Sequence, residues 1–212
     1  MLNQYARGLF TRLFTPLARW LLARGVTPDQ VTVAGTAGVL VGALVLFPLG
    51  QLFWGTMVIA VFAFADVVDG TMARLPEGQR RRARTDGETR WGSFLDSSLD
   101  RVADGAVFAG LAVWFFTSGD EPAVGVGSIA CMFLGSIVSY VRAKAESLGY
   151  DAQTGIAERA ERLVATLVAA GLVGLGLPST VLLVVLVLLA AASAVTIAQR
   201  MARVRAQVAA ER

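Results

Sequence analysis

Residues 64–74 read FADVVDGTMAR and residues 92–105 read GSFLDSSLDRVADG. The first closes one long apolar run and the second opens another, and both carry carboxylates where lipid-facing residues would be expected. An ionisable side chain within a span is costly and is retained for a function or a partner. At about 100° per helical residue, Asp66, Asp69, Gly70 and Ala73 share one face, and so do Gly92, Asp96 and Asp100. Two consecutive helices joined at one end run antiparallel, so the two acidic faces can meet at similar depth, one to two turns below one membrane surface. That pairing predicts an all-α, polytopic membrane fold built around an acidic site.

Working outward, six apolar stretches fall at about 30–48, 52–74, 93–117, 122–145, 158–176 and 179–199. Each is near the roughly 20 residues that cross a bilayer as a helix. Phe47-Pro48-Leu49-Gly50, residues 117–122 and Leu177-Pro178-Ser179 read as turns, and residues 75–91 as a basic cytoplasmic loop. Thr27-Pro28-Asp29 is a helix start. Ahead of it, residues 1–26 interleave Arg7, Arg12, Arg19 and Arg24 with Leu9, Phe10, Leu13, Phe14, Leu17, Trp20 and Leu21. This predicts an interfacial amphipathic helix with a break at Pro16. Gly35, Gly38 and Gly42 predict close helix packing in the first span. The whole of residues 1–212 reads as one membrane domain.

All 19 Lys and Arg residues lie at one set of helix ends, and none in the alternate turns at 48–51, 117–122 and 176–179. With six spans, the positive-inside rule puts both termini and the acidic site in the cytoplasm, at the plasma membrane. The pI of 9.6 then reflects topology and contact with anionic lipids, not nucleic-acid binding.

Composition restricts the chemistry. Only 17% of residues are charged against 55% hydrophobic, which suits lipid as the main solvent. No histidine is present, so imidazole can serve neither as base nor as ligand. The single cysteine, Cys131, excludes an intramolecular disulfide and a CxxC metal site. Acid–base and metal chemistry falls to carboxylates. Four facing Asp residues repel unless a cation neutralises them, and hard oxygen donors select Mg²⁺ or Mn²⁺ over zinc. Gly70 and Ala73 lack bulk, so a phosphate can come close to the helix.

Asp66-x2-Asp69-Gly70-x2-Ala73-Arg74, followed by Gly92-x3-Asp96-x3-Asp100, resembles the signature of the CDP-alcohol phosphotransferase family. The segment between Arg74 and Gly92 is longer than in the family pattern and rich in Arg. The resemblance implies that Asp66, Asp69 and Asp96 hold two divalent ions, Mg²⁺ or Mn²⁺, with Asp100 joining or standing close. It implies that Asp100 takes the proton of an incoming hydroxyl, and that Asp29, Thr32, Gly70, Ala73 and Arg74 hold the CDP-lipid. It also implies a homodimer.

Along most of its length the chain is similar to the actinobacterial members that join CDP-diacylglycerol to inositol 1-phosphate. The matching stretches include TPLARWLLARGVTPDQVT, SFLDSSLDRVADGAVF and SYVRAKAESLG. That similarity implies that Ser139, Arg142, Lys144, Arg159 and Arg200 bind the acceptor phosphate. Arg142 and Lys144 stand in the reverse of the usual Lys-then-Arg order, and Ala160 stands where Pro is usual. Two rivals exist. The same chemistry with glycerol 3-phosphate would share every aspartate. A small cation transporter would use intramembrane acids, but such sites usually lie near the midplane, often at broken helices, whereas these acids are expected near one surface on continuous helices without Pro.

Overall fold

The structure, a computed structural model, describes residues 14–75 and 86–211, apart from the side chains of Asp66, Asp86, Glu88 and Thr89. The described residues form helices and connecting turns, with no strand. Helix α1 covers residues 14–23 and α2 covers Pro28–Val41, continued by a π-helical stretch at Gly42–Leu46. Then come α3 (Leu52–Ala63), α4 (Ala65–Arg74), α5 (Asp86–Thr117), α6 (Pro122–Ser147), α7 (Arg159–Gly174) and α8 (Ser179–Ala210). By contact the chain forms two compact units. One holds residues up to Gly42 with Met57–Ala103, and the other holds Ala43–Thr56 with Asp104–Arg212.

In the first unit, α2 starts where Thr27-Pro28-Asp29 predicts. Thr27 Oγ1 accepts from the Gln30 amide at 3.3 Å and Gln30 Oε1 accepts from the Thr27 amide at 3.0 Å, a reciprocal capping box. Pro28 at the first helical position loses no intrahelical bond. The predicted glycine packing is present: a Cβ on Gly35 would lie 2.4 Å from Ala65 Cβ, and one on Gly38 2.1 Å from the Phe62 ring. Gly42 instead opens the π-helical stretch.

Helix α1 lays Ala18 and Leu22 against Val68 and Met72 of α4, all four buried. Its opposite face exposes Leu17 and Trp20, with the Arg24 guanidinium 4.1 Å above the Trp20 ring. Pro16 does not break the described helix, which runs through it from residue 14 to residue 23. Residues 1–13 lie outside the described chain.

Two boundaries differ from expectation. The second apolar stretch is not one uninterrupted helix, since α3 and α4 meet at Phe64. The backbone there stays right-handed (φ −68°, ψ −14°), so direction is kept through the turn at Phe64. This interruption lies beside the contacts of Gly35 and Gly38 with Ala65 and Phe62. The expected loop at 75–91 is also shorter: α5 already begins at Asp86, so residues 86–91 are helical. Residues 76–85 are not described.

In the second unit, α6 packs along α8, and α7 along α8. Cys131 Sγ donates to Leu186 O at 3.1 Å, which fits a packing role for that cysteine. A Cβ on Gly110 would lie 1.9 Å from Ala43 O, and one on Gly174 2.3 Å from the Phe53 amide nitrogen, so these glycines permit backbone contact. The predicted turns are present, with Gly50 and Gly176 at φ +75° and +105°, where a side chain would be strained.

Among the described residues four stretches are long and apolar enough to cross a membrane: Pro28–Leu46, Leu52–Arg74, Pro122–Ser147 and Ser179–Ala210. The other two expected spans fall short for different reasons. Helix α5 has 32 residues, but Asp96, Asp100, Arg101 and Asp104 leave only its last turns uncharged. Helix α7 has 16 residues, about 24 Å at helical rise, against a hydrocarbon core of roughly 30 Å.

Candidate active site

The first unit contains a cavity of ≈ 370 Å³ lined by Pro28, Asp29, Thr32, Asp69, Gly70, Ala73, Gly92, Ser93, Asp96 and Asp100. Three elements build it. The first turn of α2 brings Asp29 and Thr32, α4 brings Asp69, Gly70 and Ala73, and α5 brings the remaining two acids. The faces predicted from helical spacing therefore meet, at Asp69 with Gly70 and Ala73 on one side and Gly92, Asp96 and Asp100 on the other. Asp66 sits in the first turn of α4.

The acids differ in exposure. Asp69 is buried, Asp100 keeps 19% of its side chain exposed, and Asp96 is open to the cavity mouth. A buried carboxylate requires a hydrogen-bond partner. Thr32 provides one, its hydroxyl donating to Asp69 Oδ2 at 2.5 Å. Pro28 O lies 3.1 Å from the same hydroxyl. A hydroxyl has one proton, and the shorter distance directs it to the Asp69 carboxyl oxygen. Asp100 Oδ2 lies 3.8 Å from Arg101 Nη2, a half-exposed pair of small energetic weight.

Gly70 has no side chain to fill the cavity; among the described residues a Cβ there would meet Arg74 Nη2, at 3.2 Å. Arg74 Nε donates back to Gly70 O at 2.7 Å, so the arginine stands at the exposed end of α4 and does not line the cavity. Among the described residues no three carboxylates, histidines or cysteines are close enough to hold an ion unaided, a statement that leaves out the Asp66 side chain. The donor set is nonetheless all oxygen, on two facing helices over a small-residue floor. That chemistry fits a hard divalent cation and gives a soft one no ligand.

The basic residues expected around an acceptor phosphate all lie in the second unit. Ser139 and Arg142 are on α6, where Ser139 Oγ donates to Gly135 O at 3.2 Å and Arg142 Nε to Glu146 Oε1 at 2.8 Å. Lys144 is exposed in the last turn of α6. Arg159, the first residue of α7, places Nε 3.0 and 3.3 Å from the two Asp104 carboxylate oxygens. Arg200 is buried on α8 and donates to Thr154 O at 2.8 Å and Val138 O at 2.6 Å. Arg162 is equally buried and donates to Ala157 O at 2.8 Å.

Sequence reading missed three residues. Pro28 and Ser93 line the cavity, and Asp104 engages Arg159. Asp104 had a signal, because it continues the four-residue spacing of Gly92, Asp96 and Asp100. Ser93 had none, since a serine beside a glycine in a polar helix start is ordinary.

Relatives match nearly the whole chain. The phosphatidylinositol phosphate synthase of Streptomyces avermitilis is 51% identical over 211 residues, covering 97% of this chain and 83% of that protein. The enzyme of the same name from Mycolicibacterium smegmatis is 44% identical, covering 97% and 90%. Among solved structures, Mycobacterium tuberculosis phosphatidylinositol phosphate synthase with CDP-DAG bound superposes with a TM-score of 0.81. It is 38% identical, over 91% of this chain and 94% of that one. The same protein in complex with manganese and citrate superposes with a TM-score of 0.80, over 90% and 88%. The family model described as CDP-alcohol phosphatidyltransferase matches residues 25–195, which include every residue lining the cavity, and the chain belongs to that family.

Proposed function

We propose that the protein transfers a phosphatidyl group from CDP-diacylglycerol to inositol 1-phosphate, giving phosphatidylinositol phosphate and CMP. The observation that carries this reading is the cavity in which Asp69, Asp96 and Asp100 face one another across a floor of Gly70 and Ala73. The names of the two bacterial relatives support the acceptor.

In this reading Asp66, Asp69 and Asp96, with Asp100 alongside, hold two Mg²⁺ or Mn²⁺ ions. When bound, the ions neutralise the acids and polarise the diphosphate, easing departure of the nucleotide phosphate. Asp29, Thr32, Gly70, Ala73 and Arg74 hold the CDP-lipid: Gly70 and Ala73 let the diphosphate approach α4, and Arg74 offers a cation at its edge. Thr32 also orients Asp69 by the 2.5 Å hydrogen bond. Asp100, half-buried, accepts the proton of the acceptor hydroxyl. That oxygen bonds to the lipid-side phosphorus as the bond to the CMP oxygen breaks. Ser139, Arg142, Lys144, Arg159 and Arg200 recognise the phosphate already on the acceptor.

The same reading places residues 1–212, as one domain, in the plasma membrane as six spans. Both termini and the acidic cavity face the cytoplasm, as the distribution of Lys and Arg supports. Residues 1–26 lie in the interface, supported by the exposed Leu17 and Trp20. The basic surface contacts anionic lipids, and the protein forms a homodimer.

The test is an acceptor assay. Purified protein in lipid vesicles containing CDP-diacylglycerol is given Mg²⁺ and, separately, inositol 1-phosphate, glycerol 3-phosphate or free inositol, and CMP is measured. Release with inositol 1-phosphate alone is expected. Release with glycerol 3-phosphate but not inositol 1-phosphate overturns the choice of acceptor and leaves the phosphotransfer chemistry standing.

A further inference from the structure

The loop between α6 and α7 lies on α8, and one hydroxyl is central to that contact. Thr196 Oγ1 accepts from the consecutive amides of Ile156 and Ala157, at 3.2 and 3.1 Å, and donates to Ala192 O at 2.9 Å. A hydroxyl offers one donor and two acceptor positions, so every capacity of Thr196 is used. The side chain is fully buried. Gly155 approaches it at φ +139°, where a Cβ would lie 2.3 Å from Thr196 Cγ2. One turn further along α8, Arg200 fixes Thr154 O at 2.8 Å.

These contacts determine where α7 begins. Ile156 and Ala157 immediately precede Glu158, the N-cap residue, and Arg159, the first helical residue. The Arg159 backbone is thereby set from the α8 side, while its guanidinium is held 3.0 Å from Asp104. The Ala157 contact is buried and the Ile156 contact part-buried, and a buried amide cannot give up its partner without cost, so the loop has one favoured register on α8.

We infer that Thr196 is a positioning residue for acceptor recognition: by holding residues 155–157 on α8, it sets the place of Arg159. This rests on the proposal that Arg159 meets the acceptor phosphate. The geometry that Thr196 maintains concerns an acceptor-site residue, and no residue lining the acidic cavity is part of it. Its loss therefore acts on the acceptor and spares the CDP-lipid.

The experiment uses the full-length protein in vesicles and measures KM for inositol 1-phosphate and for CDP-diacylglycerol separately. Thr196→Val keeps the shape and removes the hydroxyl. It is expected to raise the acceptor KM on the order of tenfold, since a small misplacement of a binding group has effects of this size or larger. The KM for CDP-diacylglycerol stays unchanged, and Thr196→Ser restores the acceptor KM. An unchanged acceptor KM in Thr196→Val, or equal increases in both KM values, overturns the inference. If Thr196→Val does not fold, Gly155→Ala displaces the same loop and is judged by the same ratio. Arg159→Ala separates the two readings. If it leaves the acceptor KM unchanged, the acceptor-site proposal fails; if it raises that KM while Thr196→Val does not, the role of Thr196 alone fails.

Discussion

The Thr32 hydroxyl, on α2, donates a 2.5 Å hydrogen bond to Asp69 Oδ2, on α4, and so ties the start of the first apolar helix to the most buried of the described cavity acids. Partners of this kind orient a ligating carboxylate, and removing one typically costs 10–100-fold in activity or metal affinity. Thr32→Val is expected to lose about that factor in CMP release, whereas Thr32→Ser retains most of it. Equal activity in the valine variant would show that Asp69 needs no orientation from α2.

Asp100→Asn preserves size and removes the proton acceptor. A positioned general base contributes about 10²–10⁴-fold, so phosphatidyl transfer should fall by that range while CDP-lipid still binds. A variant with full activity would exclude Asp100 as the base.

Chelation should abolish transfer, because the acids of the cavity have oxygen donors alone to offer and, among the described residues, no Lys or Arg lines it as a substitute electrophile. Adding Mg²⁺ or Mn²⁺ after removal of the chelator restores CMP release if the acids serve as proposed. Activity that persists through exhaustive chelation contradicts the metal-dependent reading.

Gly35 and Gly38 are predicted to tolerate no larger residue. Their Cβ positions would lie 2.4 Å from Ala65 and 2.1 Å from Phe62, and overpacking of this kind costs about 1–3 kcal/mol or more. Gly35→Leu should lower thermal stability and also activity, since Ala65 begins the helix that carries Asp69. Activity lost without any change in melting would argue for a local effect alone.

Asp151 gives a pH dependence outside the spans. The Gln153 amide at 2.8 Å, and then Arg203, hold its carboxyl below the ordinary carboxylate range. A depressed value in the folded state means that the ionised form supports the fold. This contribution is complete above the unfolded-state value, about 3.9, and disappears as pH falls through the lower folded value. The protection factor of the Gln153 amide should therefore fall below about pH 4, and Asp151→Ala should lack that protection at every pH. Matching pH profiles for both proteins would remove Asp151 as the source.

Much of the fold and site was legible before any tertiary contact was known. The helix start at Thr27-Pro28-Asp29 and the turns at Gly50 and Gly176 follow from local backbone chemistry. The acidic faces follow from the 3.6-residue period, which puts Asp69 on one face with Gly70 and Ala73, and Asp96 on one face with Gly92 and Asp100. The lack of histidine left carboxylates as the candidate ligands, a matter of composition alone. By contrast, the break at Phe64 has no proline or glycine to announce it, and the start of α5 at Asp86 lies within a stretch of loop-like composition.

Amino-acid pattern by itself thus determined the helical class, the acidic faces and the family, because periodicity, hydropathy and motif spacing are properties of one chain segment at a time. Tertiary structure alone decided that Thr32 is the partner of Asp69, that Asp104 engages Arg159, and that Thr196 receives the amides of Ile156 and Ala157. Each of these joins residues far apart in sequence. A hydrogen bond depends on angstrom-scale placement of both groups, and that placement exists only once the helices have packed.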